Sequence, residues 1–234
     1  MDNRILAVIP ARGGSKGIYK KNIKNMCGKP LISYTIEAAI KSKYIDRVIV
    51  STDDIEIGEV SIKYGGEVPF YRPKELAGDN VPTIDCIIDL LIKLRENEGY
   101  KPDYVALLQC TSPLRNETHI DEAIELLLNS ESKGIVAVNE VECNPYWTNV
   151  IKDGKLEYLL EEGKKITKRQ DLPKVYSVNG SMYIVKTDVI LNEKTLEPEN
   201  SLAYVMEKEA SIDIDELLDF KIAELIMSEG GKRQ

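Results

Sequence analysis

The segment Ile5-Leu-Ala-Val-Ile-Pro-Ala-Arg-Gly-Gly-Ser-Lys-Gly-Ile18 runs an apolar stretch straight into a glycine-rich, basic loop. An uninterrupted apolar run over 5–9, closed by proline and glycine, reads as a strand buried on both faces. The loop continues to Lys20-Lys21-Asn22. From Arg12 to Lys29 it carries six basic residues (Arg12, Lys16, Lys20, Lys21, Lys24, Lys29) and no acid, in a chain whose formal net charge is -8. Gly13, Gly14 and Gly17 allow backbone N–H groups to approach an anion closely, arginine supplies a planar fork, and lysine a mobile point charge. The arrangement suits phosphate oxygens. It lacks the GxxxxGK[ST] spacing of a P-loop, so ordinary ATPase chemistry does not follow. A plain lysine-rich surface loop would explain the charge but not three glycines after a buried strand.

Working outward, apolar strands alternate with amphipathic stretches, the pattern of an α/β chain with a mainly parallel sheet and helices on both faces. Strands are expected over 5–9, 47–52, 68–71, 104–108, 135–141, 181–185 and 202–206. Helices are expected over 30–42, 55–64, 83–96, 120–128 and 216–227. In an open parallel sheet, ligands bind beyond the carboxyl ends of the strands. That rule brings residues 11–22, 51–54 and 109–115 to one site.

The pattern changes after 141. Residues 147–151 and 156–160 flank Lys152-Asp-Gly-Lys155, a hairpin signal around an Asp-Gly turn. We read 143–178 as an arm leaving the one domain of 1–234. A lone two-stranded hairpin is marginal and needs a surface to pack on; a second copy of the chain is the expected partner, making a homodimer.

With 234 residues, 43% apolar and 30% charged, the composition is that of an ordinary globular chain. The apolar run at 5–9 is too short to span a membrane, and a cytoplasmic protein without membrane attachment is expected. Four scattered cysteines without CxxC spacing read as reduced packing residues rather than a disulfide or zinc framework. The one histidine, His119, reads as a surface or helix-start residue with Thr118 as N-cap, which disfavours a hydrolase triad. One basic loop on an acidic chain offers no extended stripe for nucleic acid. In Ser211-Ile-Asp-Ile-Asp215, Asp213 and Asp215 point to the same side of an extended segment. Such a pair can hold Mg²⁺ together with substrate phosphates, or it can simply favour the start of the following helix.

Together Pro10-Ala-Arg-Gly-Gly-Ser-Lys-Gly-Ile18, Lys21-Asn22, Arg72-Pro-x-Glu-Leu-Ala77, Leu107-Leu-Gln-x-Thr-Ser-Pro-Leu-Arg115, Arg169-Gln-Asp-Leu-Pro173, Asn179-Gly180 and Ser211-Ile-Asp-Ile-Asp215 resemble the acylneuraminate cytidylyltransferases (CMP-sialic acid synthetases), in order and over nearly the whole chain. The resemblance implies a Rossmann-like nucleotidyltransferase fold with a protruding dimerisation arm. It implies transfer of CMP from CTP to the anomeric hydroxyl of a nine-carbon 2-keto sugar acid, with Mg²⁺ as cofactor and pyrophosphate leaving. It places Ala11, Arg12, Gly14, Lys16 and Lys21 at the phosphates, Asn22 and Arg72 at the ribose, and Val81 and Thr83 at the cytosine. Gln109, Thr111, Arg169 and Tyr183 face the sugar, and Asp213 and Asp215 the metal. Arg12, Lys21 and Asp213 are the expected catalytic groups. A guanidinium such as Arg169 is also a sensible counter-charge for a sugar carboxylate in an acidic protein.

Several positions depart from the sialic acid pattern. Ser177-Val-Asn-Gly180 replaces an Arg-Pro-Asn-Gly, Trp147 stands where a basic residue can occur, and Cys110 replaces a common proline. Pro145-Tyr-Trp147 with Arg169-Gln-Asp-Leu-Pro173 looks more like the enzymes that activate legionaminic acid, a deoxy diacetamido relative of sialic acid. Two rivals remain: the related 3-deoxy-manno-octulosonate cytidylyltransferase, against which the Ser-Ile-Asp-Ile-Asp segment argues, and a nucleotide-binding regulator without turnover, against which the intact basic loop and aspartates argue.

Overall fold

The computed structural model describes residues 3–15 and 17–230, and the first strand, β1 (Ile5–Pro10), organises it. Alternate side chains of a strand leave by opposite faces, and here both faces are covered. Ile5, Ala7 and Ile9 pack with Ile32 and Ile36 of α1 (Leu31–Lys41), Ile57 of α2 (Ile55–Lys63) and Ile120, Ala123 and Ile124 of α4 (Glu117–Leu128). Leu6 and Val8 pack on the other side with Ile87, Leu90, Leu91 and Leu94 of α3 (Thr83–Glu98) and Val189 and Ile190 of α5 (Thr187–Glu193).

β1 pairs in parallel with β4 (Arg47–Ser51) and β5 (Tyr104–Leu108). β2 (Asn25–Met26) and β3 (Lys29–Pro30) form a small antiparallel pair beyond the basic loop. β6 (Gly134–Glu140) and β10 (Leu202–Val205) are parallel to each other, and β9 (Tyr176–Lys186) lies antiparallel between β5 and β6. The six-stranded sheet runs β10-β6-β9-β5-β1-β4. The expected α/β architecture with a mainly parallel sheet is present.

Four local expectations are corrected. Residues 68–71 form no strand; only an isolated parallel bridge between Ile49 and Glu67 continues the sheet there. The strand expected over 181–185 begins at Tyr176, because its antiparallel partners extend it across the exposed Val178, which a core-facing pattern cannot reveal. Asn116, not Thr118, caps α4: its side chain accepts from the His119 backbone, and the His119 ring accepts in return from the Asn116 N–H. Only Cys86 and Cys110 are packing residues, since Cys27 and Cys143 are exposed.

In the 143–178 segment, β7 (Asn149–Lys152) and β8 (Lys155–Tyr158) pair through Asp153 and Gly154, both at positive φ, the conformation that matches the twist of a two-residue hairpin. Ile151 and Leu156 stand opposite each other on this hairpin and are 75% and 73% exposed.

A third apolar cluster sits under the basic loop. Ile18, Met26, Leu31 and Ile214 pack with Phe220 and Ala223 of α6 (Leu217–Gly230). Ile214 is thus the buried anchor of the Asp213–Asp215 stretch.

Candidate active site

Two clefts open at the carboxyl end of β1 and share Pro10, Arg12, Asn22 and Thr111 as a common wall. The first, about 270 Å³, is closed by Arg72, Gly78, Val81 and Thr83 on one side and Gln109 on the other. The second, about 290 Å³, is closed by Ser15, Gly17, Lys21 and Asp215. Loops 11–22 and 109–115 therefore meet at the clefts, whereas 51–54 lines neither cleft and instead holds the basic loop from beside through Ser51 and Asp53. A larger cavity of about 540 Å³ lies at the amino end of β5 between α3 and α5, and none of these loops reaches it.

The basic loop is fixed by named contacts. Asp53 accepts from the Gly13 N–H at 3.1 Å, the Asn22 side-chain amide donates to the Arg12 carbonyl at 3.0 Å, and the Ala11 N–H donates to the Ser51 carbonyl at 3.0 Å. Asp54 caps α2 through the Ile57 N–H at 3.0 Å, and a Cβ on Gly13 would stand 2.7 Å from its Oδ2, so glycine is needed where the loop crosses that helix. The Arg12 guanidinium reaches across the first cleft to Asp79 at 2.5 Å. Arg72 is anchored by the Ser51 carbonyl at 2.8 Å.

Lys21 joins the loop to the aspartates. Its Nζ donates to the Ile214 carbonyl at 2.6 Å and stands 3.5 Å from Asp215 Oδ1. The Ile214 N–H donates to the Thr111 carbonyl at 2.8 Å, so the segment is stitched to the end of β5 as well. With Ile214 buried between them, Asp213 and Asp215 both remain accessible. Capping of α6 falls to another acid, since Asp219 Oδ2 accepts from the N–H groups of Asp215 and Glu216 at 3.0 and 2.7 Å. The two aspartates are thus free of the structural task that would otherwise explain them. Protein packed around the Asp213 carboxyl pushes its pKa up, opposed by a hydrogen bond from Thr111, raised further by Asp215, and opposed by Lys21. A carboxylate that gains from added positive charge suits a hard cation, and two carboxylates plus phosphate oxygens are a usual Mg²⁺ set. Among the described residues, no group of three or more metal-ligating side chains forms.

Of the expected site residues, Arg12, Asn22, Arg72, Val81, Thr83, Gln109, Thr111, Lys21 and Asp215 line the clefts, with Asp213 next to Asp215. Ala11 is buried behind the loop and Gly14 faces open space. Lys16 lies outside the described residues. Tyr183 sits in β9, half-buried against the α3–α5 core, where burial raises its pKa, with smaller contributions from Glu197 and Asp213; it lines neither cleft. Arg169 lies on the arm, lining a separate groove with Cys143, Trp147 and Lys174. Sequence reasoning missed Asp53 and Asp79 as partners of the basic loop; their places beside Thr52 at a strand end and within Gly78-Asp-Asn80 at the cleft mouth were the available signals.

The family model described as cytidylyltransferase matches residues 6–223. The chain is 37% identical over 227 residues to the CMP-N,N'-diacetyllegionaminic acid synthase of Legionella pneumophila, covering 96% of each. It is 34% identical over 221 residues to the pseudaminic acid cytidylyltransferase of Campylobacter jejuni, covering 94% of this chain and 95% of that one. Among solved structures, a CMP:2-keto-3-deoxy-manno-octonic acid synthetase complexed with CTP is similar with TM-score 0.71 at 15% identity, over 97% of this chain and all of that one, a likeness of fold.

Proposed function

The chain belongs to the cytidylyltransferase family, and from that membership we propose that it transfers CMP from CTP to the anomeric hydroxyl of a nine-carbon 2-keto sugar acid, releasing pyrophosphate. The observation that carries the reading is the meeting of a basic, glycine-rich loop with a pair of accessible aspartates beside one cleft, joined by Lys21. The relatives are named for legionaminic, pseudaminic and N-acylneuraminic acids, and the Pro145-Tyr-Trp147 and Arg169-Gln-Asp-Leu-Pro173 segments favour a legionaminic-type sugar over sialic acid itself.

The reaction forms a bond from the sugar oxygen to the α-phosphorus and breaks the bond to the β-phosphate oxygen, so negative charge grows on the phosphate oxygens and the leaving pyrophosphate. Catalysis then depends on alignment and charge neutralisation. Arg12 and Lys21 supply the fixed positive charge, and the backbone of Gly13, Gly14 and Gly17 supplies N–H donors. Arg72 and Asn22 hold the ribose side, Val81 and Thr83 the base. Gln109, across the first cleft from Arg72, and Thr111, on the wall shared by both clefts, orient the acceptor. Asp213 and Asp215 hold Mg²⁺, which supplies additional charge neutralisation at the phosphates.

The arm is read as a dimer contact that puts Arg169 within reach of a neighbouring site, and the protein as cytoplasmic, where CTP is available. No helix among the described residues is long and apolar enough to cross a membrane. Calorimetric titration with CTP tests the nucleotide half directly. Binding that strengthens with Mg²⁺ and weakens in Arg12→Ala supports the reading, and equal affinity for CTP in Arg12→Ala contradicts it.

A further inference from the structure

Arg115 is among the largest fully buried side chains, 2% exposed, and the mechanism above does not use it. Its Nη1 donates to the Ser181 carbonyl at 2.7 Å and to the Gln109 carbonyl at 3.3 Å. Its Nε and Nη2 have no hydrogen-bond partner among the described residues, and the hydroxyls of Ser112 and Ser181 are likewise unpartnered. No carboxylate of the described residues lies within ion-pair distance of the guanidinium.

A lone buried charge is costly, and native proteins rarely leave one without a partner. The two carbonyls do not require it. Gln109 O also accepts from the Thr35 hydroxyl at 3.3 Å, and Ser181 O from the Gln109 N–H at 3.3 Å. Packing does not require it either, since methionine is a flexible apolar side chain that fills irregular core gaps. Burial lowers its pKa to about 10, which leaves it charged at neutral pH.

Its position supplies the reason for its retention. Gln109 and Thr111 line the cleft, where the reading above has them orient the acceptor. Gly180, at φ +72°, a backbone conformation that favours glycine, lies against the Gln109 amide, which a Cβ there would meet at 3.7 Å. Arg115 pins both backbones from behind. The same site presents Asp213 and Asp215, which repel an incoming acid.

We propose that Arg115 is a positioning residue for the acceptor half of the site. It ties the residue after the end of β5 to the middle of β9 so that Gln109 keeps its orientation, and its uncompensated positive charge offsets the aspartates for the sugar carboxylate. Its own nitrogens are shielded and do not touch the ligand; a charge in a low-dielectric interior acts at a distance. The inference rests on the sugar-acid reading given above.

Arg115→Met and Arg115→Lys test it, assayed with CTP, Mg²⁺ and the best accepted of N,N'-diacetyllegionaminic, pseudaminic and N-acetylneuraminic acids, alongside melting curves. Arg115→Met is expected to melt at or above the wild-type temperature while KM for the sugar rises about tenfold or more and KM for CTP moves by less than about threefold. Arg115→Lys, which keeps the charge, is expected to hold the sugar KM within about threefold of wild type. A melting temperature lowered by more than about 5 °C with unchanged kinetics would assign Arg115 to stability alone. An equal rise in both KM values would overturn the acceptor role. Should Arg115→Met fail to fold, a tenfold rise of sugar KM in Arg115→Lys overturns it by itself. Wild-type protein that binds CTP but accepts none of the sugars refutes the sugar-acid reading, and this inference with it.

Discussion

A Cβ on Gly17 would stand 2.5 Å from the carbonyl oxygen of Asp215, so the basic loop and the aspartate segment touch through backbone at a point where only glycine fits. Neither backbone can swing aside as a flexible side chain would. Gly17→Ala is expected to push the loop from the aspartates and lower kcat/KM by about 100-fold, the scale of an ångström-sized misplacement. Gly14, with nothing within 4 Å of its would-be Cβ, is the steric control, and Gly14→Ala is expected to be much milder. Steady-state kinetics on the pair decide it, and equal losses would show that the contact at Gly17 is unimportant.

Lys21 has a double task, and its loss should be felt twice. Its side chain is only 14% exposed and its bond to the Ile214 carbonyl is charge-assisted, worth roughly 1.5–3 kcal/mol. Lys21→Met should therefore lower the melting temperature and cut turnover together. Intact turnover in a destabilised Lys21→Met would leave the lysine as a structural tie only.

Asp213 should leave a signature in stability against pH. Although Asp213 keeps an exposed face, desolvation by the protein around its carboxyl raises its pKa above the ordinary carboxylate value. A carboxyl raised by folding binds its proton more tightly in the native than in the unfolded chain, so the charged form costs stability at neutral pH, and that cost fades as pH falls below about 4. In metal-free buffer, Asp213→Asn is expected to melt above wild type at pH 7, with the gap closing near pH 4, while losing Mg²⁺-dependent turnover. A variant less stable than wild type at pH 7 would show that the carboxylate is held by favourable contacts instead.

Ile151 and Leu156 face each other across the arm hairpin with most of their surface exposed. If the arm is a dimer contact, Ile151→Asp and Leu156→Asp should shift the protein from dimer to monomer in light scattering after gel filtration. A wild-type monomer, or a dimer untouched by both changes, removes the arm from that role.

The sheet and the basic end of the cleft were legible because their signals are local. An apolar run entering glycines and lysines can be read within about twenty residues, and two aspartates two apart name their shared side of a strand. What was hidden depends on tertiary neighbours. The first half of β9 is half-exposed, so its hydrogen-bonded partners rather than its hydrophobicity make it a strand. Arg115 ends the 109–115 loop expected at the site, but nothing in the sequence marks it as buried, because arginine is rarely buried without a partner. Arg169 carries a motif yet sits on the arm, and no single-chain contact could reveal which site it serves. The capping of α6 by Asp219 is a local signal that competed with Asp213 and Asp215, and only geometry separated the three.

The most direct test of the account is pyrophosphate release from CTP and Mg²⁺ with N,N'-diacetyllegionaminic, pseudaminic and N-acetylneuraminic acids and 3-deoxy-manno-octulosonate assayed in parallel. The account predicts turnover with a nine-carbon sugar acid, the legionaminic compound foremost. Release only with the eight-carbon sugar, or with none of the four, would contradict it.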